Sequence, residues 1–349
     1  MNRADLASYR LNNQRLSAPN FRKPVDVVRW FGAVQSQDFE AAKWALALRM
    51  RSGTNNAIED AFNRGEILRT HVMRPTWHFV ARDDIRWLLE LTAARIDLRC
   101  GPGYRMFELD DTVFKRSHKI LERALRDGKH LSRAELRRKL NESGVAADHS
   151  VRLGHILIRA ELDRVVCSGP RIGKQLTYAL FDERVPATKT IDRDEVLARL
   201  TRLYFQSHGP ATLQDFVWWS GLTTAEGKRG LELVDVEKVS IDEQVYWSLP
   251  TRDTTADSSH SAHLLPAFDE YFVAYKDRQP VFAPDDRELT ASDVLGPTVI
   301  IDGTVAGRWK KSKSVEVKFT RSLKKTERVA VDQATARYET YLGEMSRRR

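Results

Sequence analysis

Two amide side chains two residues apart, Gln35 and Gln37, stand in Gln35-Ser36-Gln37-Asp38, directly ahead of an apolar run. On a regular helix that spacing turns them about 200° apart, whereas on an extended segment both face one side. Gly32 and the capping residue types Ser36 and Asp38 favour an extended turn that enters a helix at Phe39. A neutral amide is no strong base. Paired Gln carbonyls can instead hold a water and stabilise a developing cation, which suffices where the leaving group departs without being protonated. Two Gln at a helix entry also read as plain solvated residues or caps. Asp38 adds a carboxylate whose ordinary role there is an N-cap.

The stretch Arg69–Val80 contributes Arg74, Trp77 and His78, together with His71. Trp77 and His78 alternate on a strand, so one of them faces a core. Two histidines without a third ligand at a recognisable spacing make no metal site. Arg74, ahead of Pro75, either contacts a phosphate or pairs with a carboxylate. Arg171 and Lys174 flank a glycine-punctuated tip suited to tracking phosphates or entering a minor groove. Arg308 and Lys310, with Lys311 and Lys313, make a basic turn that reads equally as a phosphate grip or a solvated loop. The sequence holds no helix-hairpin-helix, Walker A, zinc-finger or HExxH pattern, so no cofactor is expected.

The elements that must position these residues recur three times as helix, turn, helix and β-hairpin. In the middle copy, Ser132 and Glu135 have capping-box spacing, and Leu136 and Leu140 share one face. A second helix is expected from about Asp148, with Val151, Ile158 and Leu162 apolar, then strands at Val165–Ser168 and Gln175–Leu180. The third copy opens at Thr212, stops at Ser220-Gly221, restarts at a Thr223–Glu226 capping box and ends in a hairpin over Val236–Leu249. In the first copy the helices are Val25–Phe31, Phe39–Met50 and one near Ala57–Arg64, followed by strand-like residues Ile67–Val80. Beyond Ser261 the pattern becomes strand-rich: Val299–Ile301 and Thr304–Trp309 flank Asp302-Gly303, a type I′ hairpin signal. Val315–Phe319 reads as another strand and Asp332–Leu342 as a closing helix. The expected fold is α+β: tandem winged-helix units at 1–100, 101–188 and 189–260, closed by a small β-rich C-terminal domain at 261–349.

With 349 residues the chain is too long for one ordinary core. A net charge of +9, of which +7 falls in residues 301–349, favours a polyanionic partner. Winged helices serve most often on duplex DNA and otherwise as protein-interaction scaffolds. An ordinary repressor fits poorly, because the helix from Phe39 offers mainly apolar residues where a base reader needs polar ones. No apolar run approaches a membrane span, the N-terminus lacks a signal-peptide core, and two cysteines support neither disulfides nor a thiolate zinc site. The cytosol is the default compartment, and tandem repeats in one chain make a monomer sufficient.

Three segments carry a resemblance: Gly32–Asp38; Arg69–Val80; and Leu264-Leu265-Pro266-Ala267-Phe268-Asp269-Glu270-Tyr271 with Tyr275–Arg278, Asp302-Gly303 and Gly307-Arg308-Trp309. In that order the chain resembles, over nearly its whole length, the AlkZ/YcaQ family of winged-helix DNA glycosylases. The resemblance implies a basic channel for double-stranded DNA and hydrolysis of the N-glycosidic bond of N7-alkylated purines, interstrand crosslinks included. It implies Gln35 and Gln37 as the catalytic pair in the Gln–aliphatic–Gln form, from which Ser36 departs at the middle position. An N7-alkylguanine is already cationic and leaves without protonation, in keeping with a pair of amides. The residues expected to contact DNA are Arg74, Trp77, His78, Arg171, Lys174, Arg308 and Lys310. The rival expectation is a non-catalytic DNA-binding or lesion-sensing protein on the same scaffold.

Overall fold

The computed structural model describes residues 3–241, 243–249, 260–282 and 289–346. The Arg347–Arg349 tail lies outside the described residues. Two compact units divide the chain, and neither is continuous in sequence. One gathers residues 1–59, 198–219 and 223–349; the other comprises 60–197 with 220–222. Four consecutive segments were the expectation from sequence.

The first unit contains an antiparallel four-stranded sheet in the order Val315–Phe319, Thr304–Lys311, Thr298–Ile301, Ala262–Leu265. Asp302 and Gly303 both have positive φ, 51° and 80°, as the I′ hairpin turn requires. A Cβ on Gly303 would meet the Tyr271 hydroxyl and Ala7, so the turn is closed to larger residues. The closing helix is longer than its apolar pattern suggests, running Lys325–Ser346, and it packs over the Ala262–Leu265 strand. The N-terminal helix Phe39–Leu48 is buried along nearly all its length. Its Trp44 sends Nε1–H to the Leu264 carbonyl at 2.8 Å and lies against Tyr338 and Tyr341. Arg337 from the closing helix donates to the carbonyls of Ala47 and Leu48 at the helix C-terminus. These ties place the C-terminal sheet and the N-terminal helices in one core, where sequence patterning suggested separate domains.

The third repeat appears as the helices Leu213–Ser220 and Thr224–Glu232 with the hairpin Glu237–Ile241/Gln244–Ser248. Thr223 and Glu226 form the expected capping box.

The second unit begins with the hairpin Ile67–His71/Trp77–Ala81. The 22-residue helix Ile85–Met106 follows and packs on the helix Ser150–Leu162. Arg133–Glu142 starts at the Ser132/Glu135 capping box. The strands are Val166–Ser168 and Thr177–Leu180, the second flanked also by Leu131–Ser132. Val151, expected on an apolar face, is exposed instead, because two residues turn it about 200° from Leu153, which with Ile156 and Leu157 forms the buried face.

Candidate active site

The Gln pair sits where a short strand runs into a helix. Pro24–Phe31 ends at Gly32, whose φ of 80° reverses the chain, and Val34–Gln35 is extended. Asp38 is again extended and accepts the Ala41 N–H at 3.0 Å, so the expected N-cap is the role its carboxylate plays. Along this run Gln35 is buried, Ser36 is fully buried and Gln37 is exposed. The extended stretch covers Val34–Gln35 alone; Ser36 is enclosed in the core, and Gln37 lies in the bend that leads to the helix.

A polar cradle lies beneath Gln35. The Gln35 backbone N–H donates to Glu270 Oε1 at 2.6 Å, and the other carboxyl oxygen accepts Trp219 Nε1–H at 3.1 Å. His208 Nε2 is 3.4 Å from that same Oε2, outside hydrogen-bond geometry. Ser207 Oγ spends its proton on the Leu203 carbonyl, so it accepts from His208 Nδ1–H at 2.9 Å. Burial pushes the His208 imidazole below its ordinary range. The Tyr275 phenol is pushed up to about 12 by burial, and its hydroxyl donates to the His208 carbonyl at 2.7 Å.

A second layer fixes the first. Arg49 grips Asp269 with two bonds, 3.0 and 2.7 Å, and reaches Gln14 Oε1 at 2.9 Å. Gln14 in turn donates to the Tyr275 hydroxyl. Arg10 lies 3.8 Å over the Tyr275 ring and 3.9 Å from Asp215, whose Oδ1 accepts the Lys276 N–H. Asp269 caps the turn that carries Glu270, and Tyr271 donates to the Gly303 carbonyl at 2.9 Å. Trp309 Nε1–H meets the Leu265 carbonyl at 2.7 Å. The third sequence segment thus has a physical account: its polar residues hold the backbone behind the Gln pair.

The sequence-derived contact residues divide between the units. Gln35, Gln37, Arg308 and Lys310 belong to the first, and Arg74, Trp77, His78, Arg171 and Lys174 to the second. Arg308 is exposed, 3.5 Å from Asp293, and Lys310 is exposed beside Glu316 at 2.9 Å. Trp77 is half-buried against His71, with Arg69 over its ring. His78 departs from the expectation of a DNA contact. Its ring is wholly buried, its Nδ1 lies 2.9 Å from the Thr76 carbonyl, and desolvation drives its pKa well down. A neutral, enclosed imidazole supports the hairpin from within. Arg171 is half-buried, with its guanidinium on the Lys174 carbonyl and its N–H on Asn63, while the Lys174 side chain is exposed. Arg74 is half-buried.

Glu270, Trp219, Arg49 and Arg10 escaped the sequence reading. The available signal was charge inside an apolar run: Arg49 ends a buried helix, and Asp269-Glu270 interrupts Leu264–Tyr275. Among the described residues no cluster of His, Cys, Asp and Glu could hold a metal ion, and no helix is long and apolar enough to cross a membrane.

Comparison with known proteins bears on the same geometry. A Streptomyces sahachiroi protein named interstrand DNA cross-link repair glycosylase is 24% identical over 325 residues, covering 86% of each chain. The solved structure of the Streptomyces sahachiroi DNA glycosylase AlkZ superposes with a TM-score of 0.82 at 21% identity, over 98% of this chain and 97% of the other. The family model described as DNA glycosylase AlkZ-like matches residues 28–341, a span that takes in the Gln pair, the Glu270 cradle and the hairpins described above. By that match the chain belongs to the AlkZ-like DNA glycosylase family.

Proposed function

We propose that the protein is a monofunctional DNA glycosylase that hydrolyses the N-glycosidic bond of N7-alkylated purines in duplex DNA, interstrand crosslinks included. The observation that carries this reading is the anchored Gln35, its backbone held at 2.6 Å to a buried carboxyl, with exposed Gln37 two residues on. Two amides cannot deprotonate water strongly, and for a cationic N7-alkylguanine they need not. The scissile bond is already polarised, the barrier is an oxocarbenium-like separation, and a held water completes it. In this reading both amides turn to that water, with Ser36 buried between them. A Schiff-base step is not part of the reading: Lys43, the lysine nearest the pair in sequence, is buried and bound to Glu40 and Glu59, both at 2.7 Å. One chain carries the whole cradle, so a monomer suffices.

Duplex phosphates would be met by Arg308 and Lys310 in one unit and by Arg74, Arg171 and Lys174 in the other, with Trp77 against the bases or sugars. The test is release of N7-methylguanine from a duplex, and of a bulkier N7 adduct, by the wild type and by Gln37→Ala. Release that falls by about 100-fold in the variant is the expected result. Salt-sensitive binding with no release of either adduct would instead establish the non-catalytic lesion binder.

A further inference from the structure

We infer that Glu270 is the positioning residue of the Gln pair, setting the backbone from which Gln35 and Gln37 project; the inference rests on the glycosylase reading. Glu270 is only 1% exposed, and a carboxyl group is expensive to bury. A strand N–H such as that of Gln35 needs only an ordinary acceptor, and a well-packed apolar residue at 270 would be less costly to the fold. The carboxyl supplies fixity. Its two oxygens take N–H donors from two different elements, the Gln35 backbone at 2.6 Å and Trp219 Nε1 at 3.1 Å. A carboxyl held at both oxygens cannot swing, and the strand bonded to it cannot slide.

The holder is itself held. Asp269, next in the chain, is clasped by Arg49 through two bonds, and the Glu270 carbonyl accepts from Gln14 Nε2 at 3.4 Å. The chain of constraint runs from the buried Arg49 through Asp269 to Glu270, then to Gln35. Glu270 touches no reacting atom in this scheme. It acts by holding the amides where one water can be shared between them, and a misplacement of about 1 Å costs such a site on the order of 100-fold in rate.

The chemistry of the two oxygens makes the position sensitive to a single-atom change. Glu270→Gln preserves size but leaves one acceptor for two N–H donors and turns an NH2 towards the other. The experiment is single-turnover release from an N7-methylguanine duplex by wild type, Glu270→Gln, Gln35→Ala and the double variant, with duplex affinity and urea unfolding measured on each. Glu270→Gln should lower the rate by about 10- to 100-fold with affinity unchanged within about twofold. In the Gln35→Ala background the same change should cost several-fold less than in the wild type, because one of the two side chains it positions is gone and the shared water with it. Additive losses, or a folded Glu270→Gln at the wild-type rate, would overturn the assignment while leaving the glycosylase reading intact. A wild type that releases no base removes both. If Glu270→Gln does not fold, Trp219→Phe decides the matter by deleting one of the two donors and keeping a ring. A rate loss of about threefold or more at unchanged affinity supports the inference, and an unchanged rate sinks it.

Discussion

Each unit carries one of the family-resembling segments on a buried glutamate, and the two glutamates are used differently. In the first unit, Glu270 divides its oxygens between Gln35 N–H and Trp219 Nε1–H, tying separate elements together. In the second, Glu161 of the Ser150–Leu162 helix turns a single oxygen, Oε2, to one strand. That oxygen accepts the His71 N–H at 2.9 Å and the Thr70 hydroxyl at 3.1 Å, and it lies 2.8 Å from His71 Nδ1. Its other oxygen is buried without a hydrogen-bond partner. Glu161 therefore pins the edge of a hairpin, whereas Glu270 spans a cradle. Glu161 serves stability and Glu270 serves position, and they should fail in different ways when cut.

The largest effect is expected where a cut leaves groups stranded. Glu161→Leu strands a backbone N–H, a hydroxyl and an imidazole nitrogen in a dry site. It should lower unfolding stability by about 4 kcal/mol, read from the urea midpoint. An unchanged midpoint would break the comparison, since Glu161 would then anchor nothing. Acidification comes next. Burial, aggravated by the nearby Arg337 and Arg49 charges, lowers the His263 pKa from 6.5 to about 4, and burial also lowers His208 in the same unit. The unfolded chain then binds more protons than the native one between those values. The stability these rings contribute is full above pH 6.5 and is lost as pH falls towards 4, by about 3 kcal/mol for His263 alone. His263→Asn should flatten the fall in melting temperature over that window; an equally steep fall would clear His263 of the effect.

Much of this arrangement was legible in the residues. The capping boxes at Ser132 and Thr223, the Asp302-Gly303 turn and the Val315–Phe319 strand follow from local chemistry, which sequence spells out. The helix Ile85–Met106 was not legible, because Gly101-Pro102-Gly103 reads as a break. In the structure the helix runs through Pro102, and a Cβ at Gly103 would strike His155 of the helix packed against it. The Gln pair could be picked out by spacing, but its cradle could not. Glu270 lies 235 residues from Gln35 and Arg49 lies 220 from Asp269, and no local pattern announces a partner that far away. His78 was misplaced for a related reason: alternation says that one of Trp77 and His78 faces inward without saying which. The hairpin turns His78 in and leaves Trp77 half-buried.

The smallest effect concerns the surface, where the units can be compared as phosphate contacts. Lys174 is exposed at the tip that joins Val166–Ser168 to Thr177–Leu180, whereas Lys310 is exposed but ion-paired with Glu316. A lysine that must leave a carboxylate to reach a phosphate gains less than one that need not. Lys174→Ala should therefore weaken duplex binding about three- to fivefold at low salt and flatten the slope of log K against log salt by about 0.9. Lys310→Ala should do less, unless Glu316→Gln accompanies it in the reference protein. Equal losses for the two lysines would mean that the Glu316 pair opens freely, and the contrast between the two surfaces would then lie elsewhere than in their ion pairing.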